Sequence, residues 1–466
     1  MEKEDSLERQ PVDLLIANGA VITMNPNGDV VEDGAVAIRG QRIVAVGPTP
    51  TLSSQYQAAR TIDARGHVVM PGLVDTHFHT GQQFERSMLY RLSKEGKLRE
   101  PIWQFFLIPF EGALADEDVY TSALFAYANL LKNGTTCFAD AGGPRPELMA
   151  PALEQTGIRG ILARSTLDLR ENIPPEMQDT IPGILDKSER LFREWNGKAN
   201  GRIRVWMAMR QIMVASQELI VQIKQLADQL QTGIHTHLAE GTYEVDYAVE
   251  RYRMRPAEYL RSIGFLGPNV HAAHSVLLSA RELDLYRDYD VSVGHCPSVA
   301  FTFIGNTKVP AMLERGIRVG LGTDGALTGS LDLFRQMSIS FVGQVAAFGI
   351  PFRDPAPILP DDLLRLATLG GAKALRWDSE IGSLEPGKLA DLILITREDL
   401  DVLPSYDPVY TAAYNASARQ VRTVIVDGRV VVENGRLLTV DEEELKERIK
   451  ERAPRIIERF LKKVGA

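Results

Sequence analysis

The sequence is short of cysteine, of basic excess and of long apolar runs, and each shortage removes a class of protein. Two cysteines in 466 residues, Cys137 and Cys296, cannot build a disulfide framework or a cysteine-rich zinc module, and they fit a reducing compartment. Lys+Arg 52 against Asp+Glu 61 leaves a net charge of −9, so the footprint expected for nucleic acid or an anionic membrane surface is missing. No stretch reaches the roughly 18 uncharged apolar residues of a membrane helix. The opening MEKEDSLERQ is charged where a signal peptide is apolar, so a cytoplasmic location is expected. Hydrophobic residues at 44% and charged residues at 24% exclude disorder, collagen and a pure coiled coil.

What is present alternates. From residue 12 to about 69, runs such as DLLIANGAVI and RIVAVG are broken by Gly, Asn and Asp, the pattern of strands joined by tight turns. Similar material returns in ADLILIT and VRTVIVDGRVVVENGRLL. Both pieces are too short to stand alone, which predicts one small β-sandwich built from the two. Between them, the buried-strand candidates are VVMPGLVDT, GTTCFAD, GIRGILARS, RIRVWMAM, GIHTHLAE, NVHAAH, DVSVGH and IRVGLGTD, separated by helical patterns. Eight such β-then-α units match a TIM-type (β/α)8 barrel in number and size. A doubly wound open sheet is the rival, but it wants a Gly-rich turn after its first strand, and none is present. The expected division is 1–69 and 376–440 for the β-sandwich, 70–375 for the barrel, and 441–466 for an amphipathic, charged helix packed on the body.

A barrel does its chemistry at the C-terminal ends of its strands. With 8 histidines in the chain, His-x-His should arise about 0.14 times by chance. It occurs twice, at His77/His79 and His235/His237. His77 and His79 follow the apolar run VVMPGLVDT, and residues i and i+2 of a strand face the same side, so both imidazoles can converge on one point. Two neutral imidazoles suit zinc, or another first-row ion such as iron. The plainer alternative is a polar pair on a solvated edge. His237, in HTHLAE, is placed as a third ligand, with His235 one layer deeper as a supporting group. Glu240 lies just beyond the strand, within reach of a bound substrate or, more plainly, starting a helix. His274, His295 and Asp324 end the sixth, seventh and eighth strands. A carboxylate added to imidazoles completes a divalent site with positions open for water, as catalysis requires. His67 and His271, out of phase, read as structural or solvated.

PGLVDTHFH, HLAE, the His-x-Pro after strand seven, GTDG and the closing IGSLEPGKLADLILI stand in an order and spacing that resembles the amidohydrolase superfamily. The chain is most similar to the branch holding adenosine-derivative deaminases, aromatic-base deaminases and triazine hydrolases; ATLGGAKAL and WQFFLIPFE look like that branch too. The resemblance implies one divalent ion, zinc first and iron second, on His77, His79, His237 and Asp324. Binuclear branches use a carbamylated lysine at the end of strand four, and RVWMAMRQ has no lysine. Glu240 would shuttle protons, His274 and Asp324 would help deprotonate the water, and His295 would contact substrate. A homo-oligomer, dimer or higher, is implied as well. Two segments depart from the branch. HCPSVA replaces a His-Asn-Pro-x-Ser-Asn run, putting Cys296, Val299 and Ala300 at polar positions. Arg210, in MRQIM, stands where a histidine is usual; it would face an anionic or carbonyl-bearing substrate, or serve as a structural ion-pair residue.

The expected activity is hydrolytic deamination of a small aromatic nitrogen heterocycle (purine, pterin, pyrimidine or triazine) by hydroxide formed on the metal. Alternatives are hydrolysis of another C–N or C–Cl bond, such as a formimino compound or a chlorotriazine, and a non-catalytic binding protein on the same barrel.

Overall fold

The computed structural model describes residues 9–99, 101–169, 173–326, 329 and 331–464. Five strands come first: β1 (Gln10–Ile22), β2 (Val30–Arg39), β3 (Arg42–Pro48), β4 (Tyr56–Asp63) and β5 (His67–Pro71). Four barrel strands follow: β6 (Leu73–Phe78), β7 (Thr135–Asp140), β8 (Arg159–Ala163) and β9 (Ile203–Met209). Four more complete it: β10 (Ile234–Leu238), β11 (Val270–His274), β12 (Ser292–His295) and β13 (Val319–Leu321). The closing strands are β14 (Leu392–Thr396), β15 (Val421–Val426), β16 (Arg429–Glu433) and β17 (Arg436–Leu437).

The first five and last four strands form one mixed sheet in the order β17-β16-β15-β14-β5-β1-β2-β3, with β4 also beside β1. Its joint is the antiparallel pair β14–β5, running from Leu392 opposite Pro71 to Thr396 opposite His67. The two chain ends, each too short to bury a sheet face, thus share one core.

β6 to β13 pair in sequence order as an eight-stranded parallel sheet. The Asp324 amide donates to the His77 carbonyl at 2.9 Å, and this bond bridges the last strand back to the first. The fold is therefore a TIM-type barrel. Strands such as TTCFAD, RGILA and IHTHL are buried along their whole length, which explains why they read as continuous runs rather than as alternations. Capped helices return the chain between strands: Ser216 accepts from the Leu219 amide, and Ser279 pairs with Glu282 in a capping box.

VVMPGLVDT, expected as one barrel strand, is two. VVMP belongs to β5 in the mixed sheet and LVDT to β6 in the barrel. The chain changes sheet at Gly72, where a Cβ would lie 2.1 Å from Thr136 Oγ1. Only a hydrogen fits there.

The barrel's N-terminal end is tied to the mixed sheet by buried charge. Arg159, first in β8, is fully buried and reaches Asp391 at 2.7 and 3.1 Å and Asp427 at 3.3 Å. Arg202 and Gln41 complete the Asp427 carboxylate at 3.3 and 2.8 Å. The last helix, Glu442–Val464, buries Leu445, Ile456 and Phe460. Phe460 lies 5.2 Å from Phe106 and 5.3 Å from Phe110, ring centre to ring centre, and so braces the segment that ends in Glu111. No helix among the described residues is long and apolar enough to cross a membrane.

Candidate active site

The barrel's C-terminal end gathers the histidines. His77 and His79 project from the end of β6, His237 from β10, and Asp324 follows β13. His79 Nε2 is 3.2 Å from His237 Nε2, and Asp324 Oδ1 is 3.4 Å from both His77 Nε2 and His79 Nε2. A tetrahedron of ~2.0–2.1 Å zinc bonds has edges of about 3.3 Å, so these spacings fit a single ion. Two further observations agree. His77 Nε2 is buried without a hydrogen-bond partner. Burial, with mutual proximity adding to it, holds His77, His79 and His237 well below the usual imidazole range, in the neutral form that binds metals.

The other ring nitrogens orient the set. His77 Nδ1 meets His235 Nε2 at 2.8 Å, and His237 Nδ1 meets the Arg210 carbonyl at 2.9 Å. His235 thus acts through His77 from the layer below. His271 is neither solvated nor near the cavity: its ring is buried, 2.9 Å from both Ser292 Oγ and the Thr76 carbonyl.

Strand parity alone would not turn both His271 and His274 into the barrel. His274 has φ +67° and Asp324 φ +61°, left-handed conformations that cost a non-glycine residue roughly 1–3 kcal/mol. At His274 the left-handed turn breaks the strand's alternation. Its Nε2 comes to 3.8 Å from Glu240 Oε1 and 4.0 Å from Asp324 Oδ2.

Glu240 has its own supports. Gln211 Nε2 donates to its Oε2, and the Tyr243 hydroxyl also interacts with the carboxyl. Burial, with the Asp324 charge adding to it against the pull of His274, raises its proton affinity above the usual carboxyl range.

Arg210 and His295 differ from expectation. Arg210 donates to Glu111 at 2.6 and 3.1 Å, a buried bidentate pair, so its charge is already matched and an anionic substrate finds no free cation there. It still borders the cavity, but as an ion-pair residue. His295 is buried, its two ring nitrogens have no hydrogen-bond partner, and burial pushes it down to about 3. It is absent from the cavity wall, although the register of β11 with β12 carries it level with His274 at the strand end.

The cavity bordered by His79, His237 and Asp324 measures about 160 Å3. Gln82, Arg210, Gln211, Glu240 and His274 line its polar side, and Trp103, Leu107, Val299, Phe303 and Ile304 its apolar side. A larger hollow of about 380 Å3 beside Phe105 and Phe460 has no histidine or carboxylate in its wall. Gln82, Glu111, Gln211, Tyr243 and Asp75 went unrecognised in the sequence. Asp75 accepts from Thr323 at 2.6 Å and from the His77 amide at 3.2 Å, pinning the first strand end to the last. Only Gln211 carried a signal, as the residue after Arg210 at a strand end.

With this geometry in view, the comparisons are specific. Residues 68–431 match the Amidohydrolase family. The chain belongs to the amidohydrolase family. Residues 34–56, in its mixed sheet, also match an imidazolonepropionase-like composite domain of bacteria. This amidohydrolase is 34% identical, over 449 residues, to a 5-methylthioadenosine/S-adenosylhomocysteine deaminase of Acetivibrio thermocellus, spanning 96% of this chain and 100% of that one. A 5'-deoxyadenosine deaminase of Methanosarcina acetivorans is also 34% identical, over 96% of this chain and 99% of its own. Among solved structures, a zinc-bound adenosine deaminase from Xanthomonas campestris superposes with a TM-score of 0.89 at 28% identity, covering 96% of this chain and 99% of that one.

Proposed function

We propose that this amidohydrolase is a metal-dependent deaminase that releases ammonia from a small aromatic nitrogen heterocycle. One observation carries the reading: His79 Nε2 lies 3.2 Å from His237 Nε2, and Asp324 Oδ1 lies 3.4 Å from His77 Nε2 and His79 Nε2, beside a cavity whose next carboxyl, Glu240, has its proton affinity raised by burial. The deaminase relatives support it independently.

His77, His79, His237 and Asp324 would hold one divalent cation, and three nitrogens with one oxygen suit zinc first and iron second. Such an ion lowers the pKa of water to about 7 and acts as a Lewis acid. The remaining work falls to the side chains. Glu240 protonates the ring nitrogen beside the carbon to be attacked, which makes that carbon electrophilic. Water adds there, and His274 with Asp324 Oδ2 takes up its proton. The proton held by His274 and Asp324 passes to the amine, the C–N bond breaks and ammonia leaves; the remaining hydroxyl proton returns to Glu240, and the ring carbon keeps the oxygen as a carbonyl.

The protonated tendency of Glu240 favours an amine over a chloride, because chloride departs without a proton. The Arg210–Glu111 pair disfavours a carboxylate-bearing formimino substrate.

An ammonia-release screen of purines, pterins, pyrimidines and triazines, with metal analysis of the same sample, tests the proposal. The expected result is ammonia from at least one class, one equivalent of metal per chain, and loss of activity on chelation. Metal-free protein, or metal-loaded protein releasing no ammonia, would overturn it.

A further inference from the structure

Gln211 follows Arg210 at the end of β9, is buried, and borders the cavity beside Glu240. Its amide nitrogen donates to Glu240 Oε2. The Gln211 amide thus lies with its nitrogen towards the Glu240 carboxyl. The carbonyl, Oε1, is therefore fixed on the other side of the amide. That oxygen is buried and has no hydrogen-bond partner. An unmatched buried acceptor costs about 1–3 kcal/mol, which a molecule entering the cavity offsets by supplying a donor.

The same contact divides the two oxygens of Glu240. Oε2 accepts from Gln211, which leaves Oε1, 3.8 Å from His274 Nε2, as the oxygen to carry a proton when Glu240 is protonated. Glu240 and Gln211 then offer an O–H donor and a neighbouring amide acceptor. The matching edge of a heterocycle is a ring nitrogen with a lone pair next to a carbon bearing an N–H group.

We propose that Gln211 is a specificity-determining residue: its Oε1 accepts an N–H from an amino substituent on the carbon adjacent to the ring nitrogen that Glu240 protonates. The preferred substrates are then heterocycles carrying two amino groups across one ring nitrogen, one that leaves and one that is read. This rests on the deaminase reading above. Trp103, Leu107 and Val299 give the cavity an apolar wall for the ring.

The test compares molecules that differ in one group. 2,6-Diaminopurine and 6-amino-2-methylpurine have the same shape, and only the first has the N–H; 2,4-diamino-1,3,5-triazine and its 2-amino-4-methyl counterpart repeat the comparison on a smaller ring. Ammonia release by the metal-loaded enzyme should favour the diamino member of a pair by about 10- to 100-fold in kcat/KM. Gln211→Met, similar in length but unable to accept strongly, should bring that ratio towards unity while metal content stays at the wild-type level. Ammonia at equal rates from both members of each pair overturns the role of Gln211 and leaves the deaminase reading standing, as does an unchanged ratio in Gln211→Met. Ammonia from none of the four overturns the role of Gln211, and the wider screen of purines, pterins, pyrimidines and triazines then decides the deaminase reading separately. Should the variant fail to fold, the wild-type ratio decides alone.

Discussion

At the N-terminal end of the barrel, Asp391 accepts from Arg159 at 2.7 and 3.1 Å and from the Asp427 amide at 2.8 Å, while Asp427 takes Arg159, Arg202 and Gln41. Every carboxylate oxygen in that cluster has a donor. At the C-terminal end, His77 Nε2, His274 Nδ1 and Gln211 Oε1 are buried with none. Both clusters are equally inaccessible to bulk water, so burial does not separate them. The carboxylates and the cavity do: the closed end matches every carboxylate oxygen and joins two sheets, although Arg159 Nη1 and Arg202 Nε lack a partner there, whereas at the open end the unmatched Gln211 carbonyl faces a cavity.

The largest expected effect breaks the open end without disturbing the closed one. Glu240→Gln keeps the shape and the bond from Gln211 but removes the acidic proton. Turnover should fall by about 10^2- to 10^4-fold. Metal content and thermal midpoint should match the wild type. Turnover near the wild-type level would remove Glu240 from the mechanism.

The converse change acts at the closed end. Asp391→Ala leaves the Arg159 guanidinium, fully buried, without its main carboxylate. Breaking a buried pair in this way costs about 3–5 kcal/mol, measured as a shift in denaturant midpoint. The kcat/KM of the folded fraction should change by less than about twofold, since the site lies at the other end of the barrel. A loss of activity without a loss of stability would merge the two roles that the comparison separates.

The open end was the more legible in sequence. Barrel topology places chemistry at strand ends, so His77, His79, His237 and Asp324 stood out through their position alone. The closed end gave no such signal, because Arg159, Asp391 and Asp427 are ordinary charges until a nonlocal sheet brings them together. The same reason hid Glu111, 99 residues before its partner Arg210. Strand parity failed at His274 because a left-handed backbone, held by the Ser275 amide donating to Leu238 at 3.0 Å, has no sequence signature without glycine. Gly72 was visible as a letter, but its meaning lay in Thr136 across the next strand.

The smallest expected effect concerns pH and sharpens the comparison at the rim of the open end. Glu244 is buried, accepts the Glu240 amide on Oε2 at 2.9 Å and leaves Oε1 without a partner; burial pushes it up from 4.5 to about 8. In the unfolded chain it loses its proton near the lower value. Between the two, the unfolded state therefore binds fewer protons than the native state, and this residue makes stability fall as pH rises. The fully paired carboxylates of the closed end have no reason to behave so. Glu244→Gln retains an oxygen for the Glu240 amide but cannot ionise. Measured by denaturant unfolding at about pH 5 and about pH 8, the wild type should lose more stability than the variant, by on the order of one to a few kcal/mol. Parallel pH curves would mean that Glu244 finds a donor in solution, and the rim would then resemble the closed end rather than the open one.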